Sequence, residues 1–540
     1  MKRYFSLFYR KSPVFYVVIT FIGILNSALN STFMIVVSKS VSNTDYFIFS
    51  GYYPWIFFLL FAMCVGLNVL FYSYMIRLSS NIVNEVELDL IQMIRRSSFS
   101  NLSRIGNEEI YSAMRNLAIL GEAPGKFITI FISFLTVMGC LIYLFLISYI
   151  YGIIITSLIG MIVYSYFFRS RMWNDKFKML RDLQIDYYKQ LGDLLLGFKD
   201  LKMSSVKNES IYSKFILKNR QTSRELDIKL KYKLSNNALI TNYAWYLFLG
   251  VVLFVLPRWR DASLYNPSAF VIILVYIIGP VTTITSFFPF LAGLKIAADS
   301  LDSIKVKLSR DEDVADVSRV NTELNDFSSI QFREVCFEYI DEHHGRMFSL
   351  GPINIEVNEG ELIFLIGGNG SGKSTFINIL TGLQKPLSGQ IYYNKELIKD
   401  SLYVAYRDKI AAVFSDGYLL RNNYEEFELD QYNEKFVQYL RIMKLEEVVS
   451  SKDMFESKDN LSKGQQKRLV LILSLLMNKK ILVLDEWAAE QDPDFKEYFY
   501  RHVLPFLKNE GKTIIAITHD EQYLSCADKV IKFRDGKVVC

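Results

Sequence analysis

The stretch Ile363–Thr375 reads IFLIGGNGSGKST and decides the fold of the C-terminal part of the chain. An apolar run ends abruptly in glycines, and the residues from Gly367 to Ser374 match the phosphate-binding loop GxxxxGK[ST] without a mismatch. The apolar letters FINIL that follow favour a helix, so the stretch predicts a strand, a glycine-rich loop and a helix in that order. A glycine-rich turn that binds nothing is the simpler interpretation, but the flanking strand and helix patterns argue against it.

The chemistry of this loop follows from its backbone and from two side chains. Glycines let consecutive N–H groups turn inward around phosphate oxygens, and the start of the helix adds a positive dipole. We expect Lys373 to reach the β- and γ-phosphates and the Ser374 hydroxyl to bind Mg²⁺. The predicted nucleotide-binding residues of the loop are Gly367, Asn369, Gly370, Gly372, Lys373, Ser374 and Thr375.

The composition divides the chain into two parts. It has 540 residues, more than a single domain usually holds, with 51% hydrophobic and 15% aromatic residues. The long apolar blocks lie in the N-terminal half, and the C-terminal part has the composition of a soluble α/β domain. The net charge of +5 is too small to favour a nucleic-acid partner. The five cysteines follow no metal or disulfide spacing, so we expect reduced thiols.

Six apolar blocks in the first part are long enough to cross a bilayer, which takes about 20 residues each. None of them contains Asp, Glu, Lys or Arg, which argues against an ion-coupled carrier and leaves ATP as the energy source. The link between the third and fourth blocks must be very short. We interpret the basic, aromatic segment Met1–Ser12 as an interfacial lead-in to an uncleaved span. The predicted spans are Val14–Val37, Pro54–Met75, Phe127–Ser148, Ile150–Phe168, Ala238–Leu256 and Ala269–Leu291.

Polar but uncharged side chains occur within the first, fifth and sixth spans. One interpretation is hydrogen bonding between membrane helices, which small polar residues commonly provide. The other is a polar, aromatic cavity for a bulky and roughly neutral solute. No spacing discriminates between the two interpretations, and both stay open at this point. The residues are Asn26, Ser27, Asn30, Ser31, Thr241, Asn242, Tyr243, Trp245, Tyr246, Thr282, Thr283, Thr285 and Ser286.

Two long charged segments, Ile76–Lys126 and Arg169–Asn237, separate the second span from the third and the fourth from the fifth. Apolar residues at three- and four-residue spacing predict that both segments are helices continuing out of the membrane. Their lysines and arginines place them in the cytoplasm by the positive-inside rule. The segments expected to touch a soluble domain, with an ordinary solvated turn as the alternative, are Gly106–Asn116 and Ser205–Lys218.

Two further strands of the soluble part are predicted to end in catalytic residues. The apolar strand Ile481–Leu484 ends in Asp485 and Glu486, which suit a Mg²⁺-binding carboxylate and a base or water-orienting group. Another strand, Ile514–Thr518, ends in His519. We expect these strand ends to complete the site beside the phosphate loop.

The letters LSKGQ at residues 461–465 predict the start of a helix. Its N-terminal N–H groups and the Ser462 hydroxyl are suited to grip a phosphate, and we expect Gly464 and Gln465 to take part. Tyr339 precedes the phosphate loop, at a place where an aromatic side chain stacks on adenine. Packing of this tyrosine on the core is the alternative.

In this order the four motifs are specific, and the soluble part resembles an ABC nucleotide-binding domain. The phosphate loop corresponds to Walker A, LSKGQ to the signature, residues 481–486 to Walker B, and His519 to the switch histidine. The chain as a whole resembles an ABC exporter half-transporter. Within that family it resembles the cyclic-peptide exporter group, whose members export peptide-siderophore precursors and lasso-peptide microcins. The closer likeness is carried by GFKDLKM (197–203), AAVFSDGYLL (411–420), LSKGQQKRLVLILSLL (461–476) and LDEWAAEQDPDFKEYFY (484–500).

The resemblance implies a multidomain membrane protein. A six-helix transmembrane domain of the type I (type IV) exporter kind, residues 1–300, precedes a linker, residues 301–327. An α/β P-loop NTPase domain, residues 328–540, follows and uses ATP and Mg²⁺. The resemblance also places Asp492 in the loop that faces a second subunit.

The sequence departs from the family pattern in three ways. Ser415 and Asp416 stand where most ABC domains have glutamine, and we expect the hydroxyl or carboxylate to meet Mg²⁺ through water. The stretch from Ser415 to Leu461 is short for the helical subdomain. The letters SKDMFESKDN stand where exporters usually carry an acidic, glycine-containing word before the signature. These departures predict altered contacts between the nucleotide site and the cytoplasmic loops.

The chain carries one Walker A motif and one signature. In the ABC arrangement ATP lies between the Walker A of one subunit and the signature of the other, so the resemblance implies a dimer. Both halves are intact here, which favours a homodimer over a heterodimer with a degenerate partner. The predicted activity is peptide export across a bacterial inner membrane by alternating access, with Lys373, Glu486 and His519 as catalytic residues. The alternatives are a lipid or lipid-linked flippase, an ATP-gated channel or regulator, and an importer.

Overall fold

The structure is a computed structural model that describes residues 13–42, 52–170, 174–255, 267–309, 324–340, 347–448 and 461–539. Three predictions fall outside this part of the chain: the lead-in Met1–Ser12, the middle of the linker and the SKDMFESKDN word. The side chain of Tyr339 is also outside it, so the adenine-stacking prediction stays a prediction.

The chain divides into two compact units, which are described separately. The first comprises Met1–Arg95 and Arg104–Arg310, and the second comprises Arg96–Ser103 and Asp311–Cys540. A short piece of the first predicted cytoplasmic loop therefore groups with the C-terminal unit. The predicted contact segment Gly106–Asn116 belongs to the first unit, and its contact role stays a prediction.

The described residues of the N-terminal part are almost all helical, and short non-helical links such as Ser97–Ser98 and Met203–Ser204 separate consecutive helices. A π-helical turn, Ile211–Leu217, joins α8 to α9, and another, Val251–Val255, extends α9. The helices are α1 Pro13–Ser42, α2 Tyr53–Arg96, α3 Phe99–Ile105, α4 Asn107–Ile147, α5 Tyr149–Ser170, α6 Asn174–Leu196, α7 Phe198–Lys202, α8 Ser205–Ser210, α9 Lys218–Gly250 and α10 Pro267–Leu308.

Within the described part of the chain all six predicted spans lie on helices, except that the third ends one residue beyond its helix, at Ser148. Only Ser148, in extended conformation, separates α4 from α5, which confirms the very short link between the third and fourth spans. The apolar segment of α5, Gly152–Ser165, is shorter than a usual membrane span. The fifth predicted span lies in the second half of α9, after a polar first half. The described segments long and apolar enough to cross a membrane are Thr20–Ser38, Pro54–Arg96, Glu109–Ile147 and Phe270–Leu308.

Several helices are much longer than a bilayer requires. Helices α2, α4 and α10 have 44, 41 and 42 residues. At about 1.5 Å per residue each is about 60 Å long, twice the hydrocarbon core of about 30 Å. Their polar ends are joined by ion pairs, from Lys305 to Asp89 at 2.5 Å and from Lys307 to Glu109 at 2.6 Å. Helix α10 thus runs past residue 301, where the linker was predicted to begin.

The core of the first unit lies where α4, α5, α9 and α10 meet. Trp245 of α9 is fully buried there among aliphatic side chains of α10, including Ile273 and Ile277. The Arg220 guanidinium lies 4.0 Å from the centre of the Tyr187 ring and links α9 to α6. Apolar packing inside and cation–π contact outside therefore hold the same helix.

Two sheets form the second unit. The larger sheet has the order β10-β9-β3-β8-β7-β6, and its five strands from β9 to β6 are parallel. The smaller, antiparallel sheet has the order β2-β1-β4-β5. The strands are β1 Ser329–Ile340, β2 Met347–Asn358, β3 Leu362–Gly367, β4 Ser388–Tyr393, β5 Glu396–Leu397, β6 Ile410–Val413, β7 Ile481–Asp485, β8 Thr513–Ile517, β9 Lys529–Arg534 and β10 Lys537–Val539.

The continuous apolar run of β3 is buried because both faces of the large sheet are covered. Leu362 and Phe364 belong to one core cluster, and Ile363 and Leu365 belong to a second cluster on the other face. The helices that cover the sheet are α11 Lys373–Leu380, α12 Tyr403–Arg407, α13 Glu434–Ile442, α14 Lys463–Leu476, α15 Pro493–Tyr498 and α16 Leu504–Asn509.

Candidate nucleotide-binding site

The phosphate loop joins β3 to α11, so the strand, loop and helix follow in the order that the sequence pattern indicated. Gly370 and Gly372 have φ of 77° and 103°, in the left-handed region that favours glycine. A Cβ on Gly367 would collide with the carbonyl of Phe533, whereas a Cβ on Gly370 would meet nothing within 4 Å. The loop is therefore packed against β9 on one side and open on the other, where its backbone can surround an anion. Asn369 is exposed and Thr375 is half-buried at this open side.

Lys373 begins α11 and is 5% exposed. Its ammonium donates to the carbonyls of Gly367 and Gly368 at 2.8 and 3.1 Å, so it lies inside the loop. Burial lowers the pKa of Lys373, while the carboxylates of Glu486 and Asp485 act in the opposite direction. The buried cation and the two carboxylates thus lie within electrostatic reach of one another.

Two buried oxygens of the site have no hydrogen-bond partner among the described residues. They are the hydroxyl of Ser371, inside the loop, and Oδ1 of Asp485, at the end of β7. Unpaired buried oxygens cost free energy unless a ligand satisfies them. Together with the exposed Ser374, they form an oxygen-only donor set of the kind that Mg²⁺ and its nucleotide require, so the residues fit both.

Asp485 is the most deeply buried carboxylate of the site, with 5% of its surface exposed. Burial raises its pKa, and a hydrogen bond from the Ser415 hydroxyl to Oδ2, at 3.1 Å, opposes that rise. Asp416 is exposed next to Ser415. The structure thus places the predicted metal-contacting pair beside Asp485, but their contact with Mg²⁺ stays a prediction.

Glu486 and His519 face each other across two adjacent parallel strands. Strand β7 pairs with β8 so that Asp485 lies opposite Ile517, and the residues just beyond both strand ends meet. The His519 Nε2 atom lies 3.2 Å from Glu486 Oε1. Glu486 has a φ of 50°, an uncommon backbone for a non-glycine residue, which turns the chain sharply after β7. The two predicted catalytic residues are therefore in contact.

The signature residues cap α14. The Ser462 hydroxyl accepts from the Gln465 N–H at 3.3 Å, and the Ser462 N–H donates to the Gln465 side chain at 2.9 Å. This reciprocal capping box fixes the start of the helix and occupies both side chains. The Gly464 carbonyl accepts from the Gln491 side chain at 3.1 Å, so the signature is tied to the loop after β7.

A cluster around Arg468 was not predicted from the sequence. Its guanidinium donates to Gln491 at 2.7 Å and to Asp492 at 2.8 Å, and lies 3.4 Å from the centre of the Phe495 ring. Asp492 also caps α15 by accepting from the Phe495 N–H at 2.8 Å. The cap was readable from the Asp-Pro pair at the start of α15, but the arginine contacts join residues over 20 positions apart.

A second unpredicted cluster surrounds His519. The buried Tyr500 hydroxyl lies 2.6 Å from the Thr518 hydroxyl and donates to Asp520 at 3.1 Å. Lys496 pairs with the same aspartate at 3.2 Å. Thr518 and Asp520, the chain neighbours of His519, are thus held by the helical region after β7. The sequence could not predict these contacts, because nothing near Tyr500 in the chain indicates its partners.

Comparisons with known proteins agree with this site. A family model described as ABC transporter matches residues 350–489. The "ATP-binding protein SyrD" of Pseudomonas syringae pv. syringae is 30% identical over 484 residues, which cover 85% of this chain and 83% of that protein. The "Energy-coupling factor transporter ATP-binding protein EcfA1" of Staphylococcus aureus (strain USA300) is 30% identical over 221 residues, covering 39% of this chain and 80% of that protein.

A solved structure extends the likeness to the membrane part. The structure of a bacterial Atm1-family ABC exporter with ATP bound matches with a TM-score of 0.74 at 15% identity, covering 97% of this chain and 94% of that chain. The fold is therefore a helical transmembrane part followed by an ABC nucleotide-binding domain, as predicted. The chain belongs to the ABC transporter family, and it is an ATP-hydrolysing transporter with the fold of an exporter half-transporter.

Proposed function

We propose that two copies of this chain form a pump in the bacterial cytoplasmic membrane that exports a peptide of the cyclic, lasso or siderophore-precursor type. The observation that carries the cargo part of the proposal is a cavity in the first unit. Its volume is about 800 Å³, and its walls come from α2, α4 and α10. A cavity of this size accommodates a bulky ligand.

The walls of this cavity combine aromatic rings with small hydroxyl groups. Phe71, Tyr72, Phe287 and Phe290 supply the rings, and Phe287 packs edge-on against Phe127 with ring centres 5.0 Å apart. Glu122 and Lys126, one helical turn apart on α4, add one charge of each sign. The hydroxyl-bearing residues of the walls are Tyr72, Ser79, Ser80, Thr129, Thr283 and Ser286.

A second cavity of about 310 Å³ shares four wall residues with the first and is lined by three asparagines. Asn26 donates to Asn68 at 2.8 Å, Asn30 donates to Asn26 at 3.0 Å, and Tyr276 donates to the Asn30 carbonyl at 3.1 Å. The buried Asn26 thus joins α1 to α2, as the helix-bonding interpretation requires. Asn30 and Asn68 also line the cavity, so the two interpretations of the first span both apply.

These walls favour a peptide over a lipid. Peptide groups lose free energy when they leave water without new hydrogen-bond partners. The hydroxyl oxygens of Ser79, Thr129, Thr283 and Ser286 donate to helix carbonyls and remain acceptors for peptide N–H groups, and the asparagines of the second cavity add amides. Acyl chains need no polar partner, so an all-apolar wall would have served a flippase equally well. The names of the relatives agree with ATP binding and with an exporter fold, and they add nothing on cargo.

The dimer part of the proposal rests on the arrangement of motifs. Within one chain, Ser462 and Gly464 bond to Gln465, Gln466 and Gln491, close to their own helix. We infer that the signature of a second copy completes the site that the phosphate loop begins, as the family arrangement implies. Two identical ATP sites follow from two identical chains.

Each complete site would hydrolyse ATP with Lys373 and the contacting pair Glu486 and His519. Lys373 holds the phosphates, Glu486 orients or deprotonates water, and His519 holds Glu486 in place. Ser374 and Asp485 would hold Mg²⁺, which would supply positive charge beside the phosphates. Transport requires that ATP bind the closed dimer far better than the open one, because a ligand shifts an equilibrium only by its differential affinity.

The test is the ATPase activity of the full chain in lipid nanodiscs, titrated with cyclic and lasso peptides and compared with lipid alone. The Glu486→Gln variant serves as the blank. Saturable stimulation by a peptide is the expected result. High basal turnover that follows lipid composition and ignores every peptide would replace the proposal with the flippase alternative. A particle mass of one chain per disc under turnover conditions would contradict the dimer.

A further inference from the structure

Ser415 contacts the end of β7 with two groups. It lies two residues beyond the end of β6, and β6 and β7 are parallel neighbours that pair Val413 with Leu484. This register brings Ser415 beside Asp485. The Ser415 hydroxyl donates to Asp485 Oδ2 at 3.1 Å, and the Ser415 backbone N–H faces the same carboxylate.

The two oxygens of Asp485 are therefore in different situations. Oδ2 accepts from Ser415, whereas Oδ1 is buried and has no partner among the described residues. The neighbouring cation does not satisfy Oδ1, because Lys373 gives its hydrogen bonds to loop carbonyls. A carboxylate held at one oxygen keeps the other in a fixed direction.

We propose that Ser415 is a positioning residue, which holds Asp485 through Oδ2 so that Oδ1 is the oxygen that ligates the divalent cation of the nucleotide. This inference rests on the Mg²⁺-dependent ATP hydrolysis proposed above. It differs from the expectation drawn from the sequence, in which Ser415 or Asp416 itself met the metal through water. The hydroxyl acts on the carboxylate, and the carboxylate acts on the metal.

The expected loss of metal affinity follows from the positioning role of Ser415. Removing a group that orients a metal ligand typically weakens metal binding about ten- to a hundredfold. Ser415 is exposed and its backbone N–H stays in place, so we expect Ser415→Ala near the lower end, about tenfold. Ser415→Thr keeps the hydroxyl and should retain most of the affinity. Ser401→Ala, at an exposed serine of the same domain outside the site, is the matched control and should change it little.

The experiment uses the full chain in nanodiscs with a non-hydrolysable ATP analogue and Mn²⁺ in place of Mg²⁺. The measured quantity is the gain in nucleotide affinity when Mn²⁺ replaces EDTA. We expect Ser415→Ala to bind nucleotide normally in EDTA and to lose about tenfold of the Mn²⁺-dependent gain. A variant that merely loosened the fold would also lose affinity in EDTA.

The number of water ligands on the bound metal ion distinguishes a positioning role of Ser415 from direct ligation by Ser415. Pulsed electron paramagnetic resonance in D₂O counts the water molecules on the bound Mn²⁺, and this number should not differ between the wild type and Ser415→Ala. One additional water in the variant would make Ser415 a ligand and overturn the inference. An unchanged Mn²⁺-dependent gain in Ser415→Ala, or an equal loss in Ser401→Ala, would overturn it as well. If the wild type shows no gain with Mn²⁺, it is the proposed metal dependence that fails.

Discussion

Replacement of Arg468 by methionine should loosen the loop that follows the catalytic Glu486. The Arg468 side chain is 11% exposed and donates to Gln491, which is 7% exposed. A charge-assisted hydrogen bond of this kind contributes about 1.5–3 kcal/mol. The bond to Asp492, whose side chain is 57% exposed, adds less than about 1 kcal/mol because solvent screens it. The contact with the Phe495 ring contributes about 0.5–1 kcal/mol.

These contributions total about 2–4 kcal/mol, since part of the ring contact survives with methionine. Hydrogen exchange measured by mass spectrometry on the full chain reports the free energy of local opening. Backbone amides of the peptide from 488 to 498, including those of Gln491 and Phe495, are hydrogen-bonded in the loop and its cap. Their exchange in Arg468→Met should be faster by about 30- to 1,000-fold, because each 1.4 kcal/mol is a factor of ten.

A matched control is available in the same domain. Arg441 pairs with Glu446 at 2.9 Å, but the two side chains are 72% and 46% exposed. Such a pair contributes about 0–1 kcal/mol, so Arg441→Met should change exchange in its own peptide by less than about fivefold. If Arg468→Met accelerates exchange no more than this control does, the cluster does not hold the loop. The reasoning from burial to rigidity would then be refuted.

Three further changes follow from the site. Glu486→Gln should keep ATP binding and lower turnover by about 10²- to 10⁴-fold, measured by fluorescent-nucleotide binding and phosphate release; near-normal turnover would remove Glu486 from the chemistry. Gly367→Ala should abolish tight ATP binding, because the new Cβ collides with a carbonyl of β9 at a φ of 147°; wild-type affinity would contradict the packing. The third change is Asp528→Asn. Burial of Asp528 acts to raise the pKa of its carboxyl group, but hydrogen bonds from the Leu362 N–H and from Lys508 outweigh burial and hold that pKa below its ordinary value. The ionised carboxylate should therefore stabilise the wild type fully at pH 7, and this stabilisation should be lost as the pH falls through the lowered pKa. The measurement is the difference in thermal midpoint between the wild type and Asp528→Asn as a function of pH.

The nucleotide motifs were predictable because their geometry is local. The phosphate loop uses eight consecutive residues, and its glycines, its lysine and the flanking apolar runs are all adjacent in the chain. The membrane helices were predictable for a similar reason, since every backbone group of a span must bond within its own segment. The linker was predicted to begin at residue 301, whereas α10 continues to Leu308, where its polar end forms ion pairs with α2 and α4.

The contacts within the site depended on strand order. Residues 415, 485, 486 and 519 come from three strand ends, and they meet only because β6, β7 and β8 are neighbours in one parallel sheet. The roles of the polar residues of the first span also depended on tertiary packing. Their sequence allowed both helix bonding and a cavity wall, and the packing of α1 against α2 gives Asn26 and Asn30 both roles, because they form hydrogen bonds and also line the cavity.

By itself the sequence determined the chemistry that each segment carries: a phosphate loop, a carboxylate pair after a buried strand, a capping signature and apolar spans. Only the tertiary structure decided which of these groups touch, which oxygen of Asp485 is free, and that Arg468 joins the signature helix to the loop after β7. The physical reason is the range of the interactions. Propensity, capping and apolar length act over a few residues, whereas side-chain contacts between distant segments form only after burial of the sheet has set the register of its strands.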